Sequence, residues 1–357
     1  MASYLETCGI EVQRGIGKTG VVGVIRGREN TSGRMIGLRA DMDALPMTEE
    51  NTFAHRSTKS GLMHGCGHDG HTAMLLGAAR YLAHSRDFDG TVVLIFQPAE
   101  EGLGGARAML EDGLFETYPC DAIYALHNWP GLPVGTVGVN PGPMMAAADR
   151  FEVIIKGKGG HGAHPYQTID PVLAAGHVIA ALQSVVSRNV NPLDAAVVSI
   201  GSMQAGNPGA MSVIPSEARL VGTVRTFRRT VQELVEQRMR EVAQGVAQAF
   251  GATAQFTYER MFPATLNTPA HAHLVADIAT ELVGREHVVR DLTPSMGSED
   301  FSFMLQQRPG AYFRLGQGGA ESGRVLHNSR FDFNDAVIPL GGAMFCALAE
   351  RGMPLAQ

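Results

Sequence analysis

The stretch Thr91-Val92-Val93-Leu94-Ile95-Phe96-Gln97-Pro98-Ala99-Glu100-Glu101 decides the fold. An apolar run of β-formers halts abruptly at a turn carrying two adjacent acids, which reads as a strand ending in a polar cluster. Similar runs occur at Val21–Ile25, Arg34–Leu38 and Ala122–Leu126, and a helical pattern at Thr72–Ala83 falls between them. Strands alternating with helices predict a mainly parallel sheet flanked by helices, an α/β class. The second run ends in Asp41-Met42-Asp43, the third in Glu100-Glu101 and the fourth in His127. Ligands of open α/β sheets bind beyond the carboxyl ends of the strands. The three polar clusters are therefore expected to meet in one crevice.

The pattern changes near Asp149. Phe151–Lys156 reads as a strand, and Pro171–Ser187 as a helix with Asp170 at its N-cap and proline at its first position. Ala196–Ile200 and Ala218–Thr226 read as strands. Thr230–Phe250 reads as an amphipathic helix opened by a Thr230/Glu233 capping box and closed by Gly251, and Ala254–Tyr258 as a last strand. The order β-α-β-β-α-β is a ferredoxin-like α+β unit, expected to span 149–260 as an insertion. Residues 1–148 and 261–357 would then form one domain around it.

Composition sets outer limits. A chain of 357 residues suggests two domains at roughly 150 residues each. Charged residues make up 18% against 45% hydrophobic, which argues against disorder. Twenty-nine basic and 35 acidic residues give a net charge of −6, so a dedicated nucleic-acid binder is not expected. No apolar run is long enough to span a bilayer. Met1–Gln13 does not read as a signal peptide, and four cysteines in this length do not make a disulfide framework. The expectation is a soluble, cytoplasmic protein with no membrane partner.

The densest chemistry lies in Met63-His64-Gly65-Cys66-Gly67-His68-Asp69-Gly70-His71. Cys66 and His68 are two apart, so in extended backbone both point the same way, and thiolate with imidazole suits zinc and its neighbours. Two alternatives stand beside a metal site: a glycine-rich turn opening the next helix, and Cys66 as a nucleophile with a histidine base. Glu100 and Glu101 are two solvated acids or else a ligand and a general base. His127 is a core histidine or a ligand, and Asp41 and Asp43 are ligands or groups that orient a histidine. His327, in Val325-Leu326-His327-Asn328, is by itself an ordinary loop histidine. Each signal is weak singly; their placement at the ends of consecutive strands is not.

Taken together, these motifs resemble the co-catalytic metallopeptidase family of aminoacylases and carboxypeptidases, in its amidohydrolase branch with hippurate hydrolases and indole-acetyl-amino-acid hydrolases. The resemblance rests on Leu38-Arg39-Ala40-Asp41-Met42-Asp43-Ala44-Leu45-Pro46, the Met63–His71 run and Phe96-Gln97-Pro98-Ala99-Glu100-Glu101-Gly102. It continues through Ala125-Leu126-His127, Gly157-Lys158-Gly159-Gly160-His161, Val213-Ile214-Pro215, Gly222-Thr223-Val224-Arg225-Thr226 and Gly297-Ser298-Glu299-Asp300-Phe301.

The resemblance implies two divalent ions, Mn, Zn, Co or Ni, bridged by Cys66 and held also by His68, Glu101, His127 and His327. Glu100 would be the general base, and His161, from the inserted lid and dimerisation domain, an oxyanion donor that often acts across a homodimer. The substrate would be a small N-acyl amino acid, with Arg225 suited to its carboxylate and Gly297 and Ser298 lining the acyl side. His64 and His71 are assigned to the loop and helix start, and His164 to no firm role.

Three departures carry information. Ser212 stands where relatives often have Asn before Val-Ile-Pro. Asp41 and Cys66 replace a metal-binding His and a bridging Asp of other branches, which is normal for amidohydrolases. Met1 falls near the end of a helical segment that relatives carry upstream. The runner-up activity is a dipeptidase or carboxypeptidase; from other classes, a silent small-molecule binder on this scaffold and a thiol amidase remain.

Overall fold

Every residue of the strand Thr91–Gln97 is buried, which only a central position with cover on both faces allows. The computed structural model describes residues 1–102, 104–320 and 324–356. They form two units, Met1–Met144 with Thr265–Pro294 and Glu299–Gln357, and Met145–Ala264 with Ser295–Ser298.

In the first unit, helix α1 (Ala2–Thr7) leads into β1 (Glu11–Ile16), followed by β2 (Gly20–Arg26), β3 (Met35–Asp41), helix α2 (His68–Ser85), β4 (Thr91–Gln97) and β5 (Ala122–Trp129). The sheet runs β1-β2-β4-β3-β5 and continues through Gly310–Gly316, Val137–Gly138 and Val288–Val289. β3 pairs in parallel with both β4 and β5, and β5 pairs in parallel with Gly310–Gly316. β1 and β2 are antiparallel additions at one edge. The register sets Asp41 opposite Gln97 and Arg39 opposite Ala125. The carboxyl ends of β3, β4 and β5 therefore finish side by side. Met74, Leu75, Ala78 and Leu82 of α2, with Met344, Phe345 and Leu348 of the helix Ile338–Gly352, pack in the core against Leu38, Leu94 and Tyr124.

Two features of this unit differ from the sequence expectation. β1 was not foreseen, because its residues alternate poorly and most are exposed. α2 opens at His68 rather than Thr72, so the histidine cluster is partly helical.

The second unit holds a four-stranded antiparallel sheet in the order Ala196–Ala205, Glu217–Thr226, Ala147–Lys156, Thr253–Phe262. Helices Pro171–Ser184 and Arg229–Ala249 cover it, with Ala174, Val178, Leu182, Val235, Met239 and Ala243 meeting Phe151, Val153 and Leu220. Asp170 caps its helix as read, its carboxylate accepting from the backbone N–H of Val172 and Leu173. That helix stops at Ser184, and Val185–Asn189 is a π-turn. The Thr230/Glu233 capping box is absent. The helix begins at Arg229 with Arg228 at the N-cap, so the Thr230 hydroxyl is already inside the first turn, and Glu233 pairs instead with Arg229 at 2.9 Å. Ser295–Ser298 joins this unit through bonds from the Ala146 N–H to the carbonyls of Ser295 and Gly297. All four cysteines are free. No helix of the described residues is long and apolar enough to cross a membrane.

Candidate metal centre

Side chains from the turn after β4, from β5, from the start of α2 and from residue 327 converge on Cys66. The backbone before α2 can reach its position because Gly67 adopts φ +94, and a Cβ there would lie 2.4 Å from Asn128 Oδ1. After β4, Ala99 turns left-handed at φ 54, which swings Glu100 and Glu101 over the sheet end. His327 is also left-handed, at φ 63, and its N–H donates to the Gly65 carbonyl at 2.8 Å. Left-handed backbone is costly for non-glycine residues and tends to mark functional sites.

Ligand-type atoms of Cys66, His68 and His127 all lie within 4.8 Å of one another, and so do those of Cys66, Glu101 and His327. Cys66 is common to both groups. Its Sγ is 3.4 Å from His127 Nε2, and Glu101 Oε1 is 3.2 Å from His327 Nε2 and 3.9 Å from His68 Nε2.

Neighbouring acceptors orient the imidazoles. His68 Nδ1 faces the Asp43 carbonyl and carboxylate, both at 3.1 Å, and His127 Nδ1 faces the Asn128 carbonyl at 2.6 Å. Carbonyl and carboxylate oxygens only accept, so each Nδ1 carries the proton and each Nε2 points into the cluster. His68 Nε2 is buried with no hydrogen-bond partner, a costly arrangement unless something positive joins it, and the buried Glu101 Oε1 has His327 Nε2 beside it at 3.2 Å.

The electrostatics agree. Burial pushes the Cys66 thiol well up, and Glu101, Glu100 and Asp41 push it further. Burial opposes charge on His68, yet Asp41, Asp43 and Glu101 outweigh it and raise its pKa to about 9. Burial, with His71 beside it, keeps His127 neutral. A thiol, imidazoles and a carboxylate at this spacing, crowded by further acids, fit borderline divalent cations.

Glu100 lies beside this cluster, in reach of His68 and Glu101. Burial drives its carboxyl well above the usual range, Glu299 and Asp300 adding to the rise and Arg39 opposing it. Asp43 Oδ2 also accepts from the Glu101 N–H at 3.0 Å, so one carboxylate steadies both His68 and the acidic turn. Asp41 does not face the cluster alone: its Oδ1 is 2.5 Å from His71 Nδ1 and its Oδ2 accepts from Arg39.

His71 is a residue that sequence reading left in the helix start. It is fully buried and spans Asp41 and Asn128, with Nε2 2.6 Å from Asn128 Oδ1. Both ring nitrogens are engaged, so it braces the site. In the sequence Arg39, Gln97, Glu299 and Asp300 likewise stand only as members of the motifs, with no role of their own. The available signal was a lone cation inside the apolar run Ile36–Ala40.

The other residues singled out in the sequence lie in the second unit. His161 sits in a two-stranded ribbon opposite Val213, exposed, with Nδ1 accepting from the Ala163 N–H at 3.1 Å. Ser212 adjoins the same ribbon, its carbonyl accepting from the Gly162 N–H at 2.7 Å. Half-buried Arg225 donates to Ser298 Oγ at 3.2 Å, and Gly297 is tied to Ser295 Oγ at 3.0 Å. The structure thus joins Arg225 with Ser298, and His161 with the Ser212 segment.

The profile of peptidase family M20/M25/M40 matches residues 37–351. The chain is 42% identical over 351 residues to the hippurate hydrolase of Campylobacter jejuni, covering 98% of this chain and 90% of that protein. It is 43% identical over 333 residues to the N-acetylcysteine deacetylase of Bacillus subtilis, covering 93% and 84% respectively. Among solved structures, the Bacillus subtilis YXEP protein, described as a dinuclear metal-binding peptidase of the M20 family, superposes with a TM-score of 0.84 at 38% identity. That match covers 98% of this chain and 90% of the YXEP chain. The chain belongs to the M20/M25/M40 peptidase family.

Proposed function

We propose that the chain is a metal-dependent amidohydrolase that cleaves the amide bond of N-acyl amino acids, of the kind its hippurate-hydrolysing and N-acetylcysteine-deacetylating relatives are named for. The observation that carries this reading is the sharing of Cys66 between two ligand groups, with an orphaned His68 Nε2, Glu101 Oε1 set against His327 Nε2, and Glu100 at their side. Cys66, His68, Glu101, His127 and His327 would hold two divalent ions, of Mn, Zn, Co or Ni. Such ions acidify water and polarise a carbonyl.

The chain's own residues do the rest. Glu100, kept basic by burial, takes a proton from the attacking water and delivers it to the departing amine nitrogen. Asp43 holds His68 and the acidic turn in place. Arg225 binds the substrate carboxylate, the planar fork of the guanidinium matching both oxygens. Gly297 and Ser298 line the acyl side, and Ser212 supplies one hydroxyl where an amide would offer two donors. His161 donates a hydrogen bond to the developing oxyanion. In this reading 1–148 with 261–357 is the metal-binding domain. The insertion 149–260 is a lid and dimerisation element of a cytoplasmic homodimer.

A thiol amidase is disfavoured, because burial with Glu101, Glu100 and Asp41 raises the Cys66 thiol in the metal-free chain, where an activated nucleophile needs it lowered. The test is hydrolysis of acetyl, benzoyl and indole-acetyl amino acids by protein stripped with chelator and refilled with one metal at a time. Activity that vanishes and returns with metal supports the proposal. Activity that survives stripping and dies on thiol alkylation moves the chemistry to Cys66.

A further inference from the structure

An arginine inside a strand buried from Ile36 to Asp41 needs a physical reason. Arg39 is completely buried in β3, and burial by itself disfavours its charge. Glu299, Asp41 and Asp300 outweigh that burial and keep it charged.

Its guanidinium donates four hydrogen bonds: Nε to Gln97 Oε1 at 2.8 Å, Nη1 to Asp41 Oδ2 at 2.8 Å, and Nη2 to Glu299 Oε1 at 2.9 Å and Asp300 Oδ1 at 3.2 Å. These partners come from the ends of β3 and β4 and from the turn at 299–300. Each reaches further. Asp41 holds His71, which holds Asn128, the neighbour of His127. Asp300 accepts from Gln97 Nε2 at 2.7 Å and the Ala106 N–H at 2.9 Å, and its own N–H is 3.4 Å from Glu100 Oε1.

Stability alone does not account for this hub. Buried ion networks are commonly replaced by apolar residues at no loss of stability, and apart from Arg39 and Asp41 β3 is apolar. What apolar packing cannot supply is a rigid planar fork with several directed bonds.

We propose that Arg39 is a positioning residue of the reaction, its guanidinium fixing Asp41 behind the histidines and Asp300 beside Glu100 so that ligands and base keep one mutual geometry. The proposal rests on the metal-hydrolase reading above.

The test compares wild type with Arg39→Lys, which keeps the charge but loses the fork, and Gln97→Met, which removes one partner of the fork and adds no charge. Each is purified, stripped and refilled with cobalt. The readouts are the cobalt absorption spectrum, the cobalt affinity by chelator competition, and kcat and KM on an N-acyl amino acid that wild type cleaves. For Arg39→Lys, kcat should fall about 10–100-fold with KM little changed, cobalt affinity should weaken about 10–100-fold, and the cobalt spectrum should alter. Gln97→Met should change in the same direction by a smaller factor, and it decides the matter if Arg39→Lys does not fold. A folded variant with lowered thermal stability but wild-type kcat, affinity and spectrum overturns the role of Arg39. A wild type that takes up no cobalt and turns over nothing overturns the metal-hydrolase reading itself, and the Arg39 proposal with it.

Discussion

Glu100 and Glu101 are adjacent in sequence, yet their surroundings assign them different work. Glu101 presents one oxygen to His68 and His327, whereas Glu100 faces Asp300 and the buried acids around Arg39. Glu100→Gln should therefore retain bound metal while lowering turnover by about 10²–10⁴-fold, the usual worth of a positioned base. Metal analysis alongside steady-state kinetics checks this, and near-wild-type kcat would remove Glu100 from the mechanism. Asp43→Ala removes the carboxylate from both His68 Nδ1 and the Glu101 N–H, leaving His68 Nδ1 the residue 43 carbonyl. Metal affinity should drop about 10–100-fold, read by chelator competition; an unchanged affinity would mean that the Asp43 carbonyl alone orients His68. His161→Ala should reduce kcat with metal content intact, and loss of metal instead would make His161 a ligand.

At the scale of elements, the helix starts separate true caps from apparent ones. Asp170 accepts two backbone N–H groups, so Asp170→Ala should cost the second unit about 1 kcal/mol in denaturant unfolding. Thr230 stands inside its helix with no capping bond, so Thr230→Ala should change stability by less than about 0.5 kcal/mol. Equal effects of the two substitutions would contradict the observed caps. The contrast also shows how far local pattern reaches. Asp-Pro at a helix start specifies its own geometry, because proline presets φ and the carboxylate needs only nearby N–H groups. The Thr230/Glu233 spacing fits a capping box equally well on paper. An Arg229–Glu233 ion pair nonetheless takes Glu233, and the helix starts one residue early. β1 escaped notice for a related reason: an exposed antiparallel edge carries little apolar signal.

At the scale of the whole molecule, the two units have separate hydrophobic cores, and the candidate ligands all belong to the first. A ligand that binds only the folded form stabilises it by mass action, about 2.7 kcal/mol at a hundred times its Kd. Chelation should therefore lower the melting temperature of the metal-bearing unit and leave the transition of the second unit nearly in place. Calorimetry with and without chelator reads this directly. Equal shifts of both transitions would show that metal is held elsewhere or that the two cores melt as one.

The amino-acid sequence by itself determined the alternation of strands and helices, the clustering of Asp41, Glu100, Glu101 and His127 at strand ends, and the residue types suited to a metal. Those features are local, since they follow from runs of apolar residues and from where each run stops. The bracing of the site was decided only by tertiary structure. Arg39 meets Gln97 across 58 residues of chain and Asp300 across 261, and His71 meets Asn128 across 57. No spacing rule spans such separations. These contacts exist because β3, β4 and β5 pair in a register that brings their ends side by side, and because a buried guanidinium must gather acids from wherever the fold supplies them.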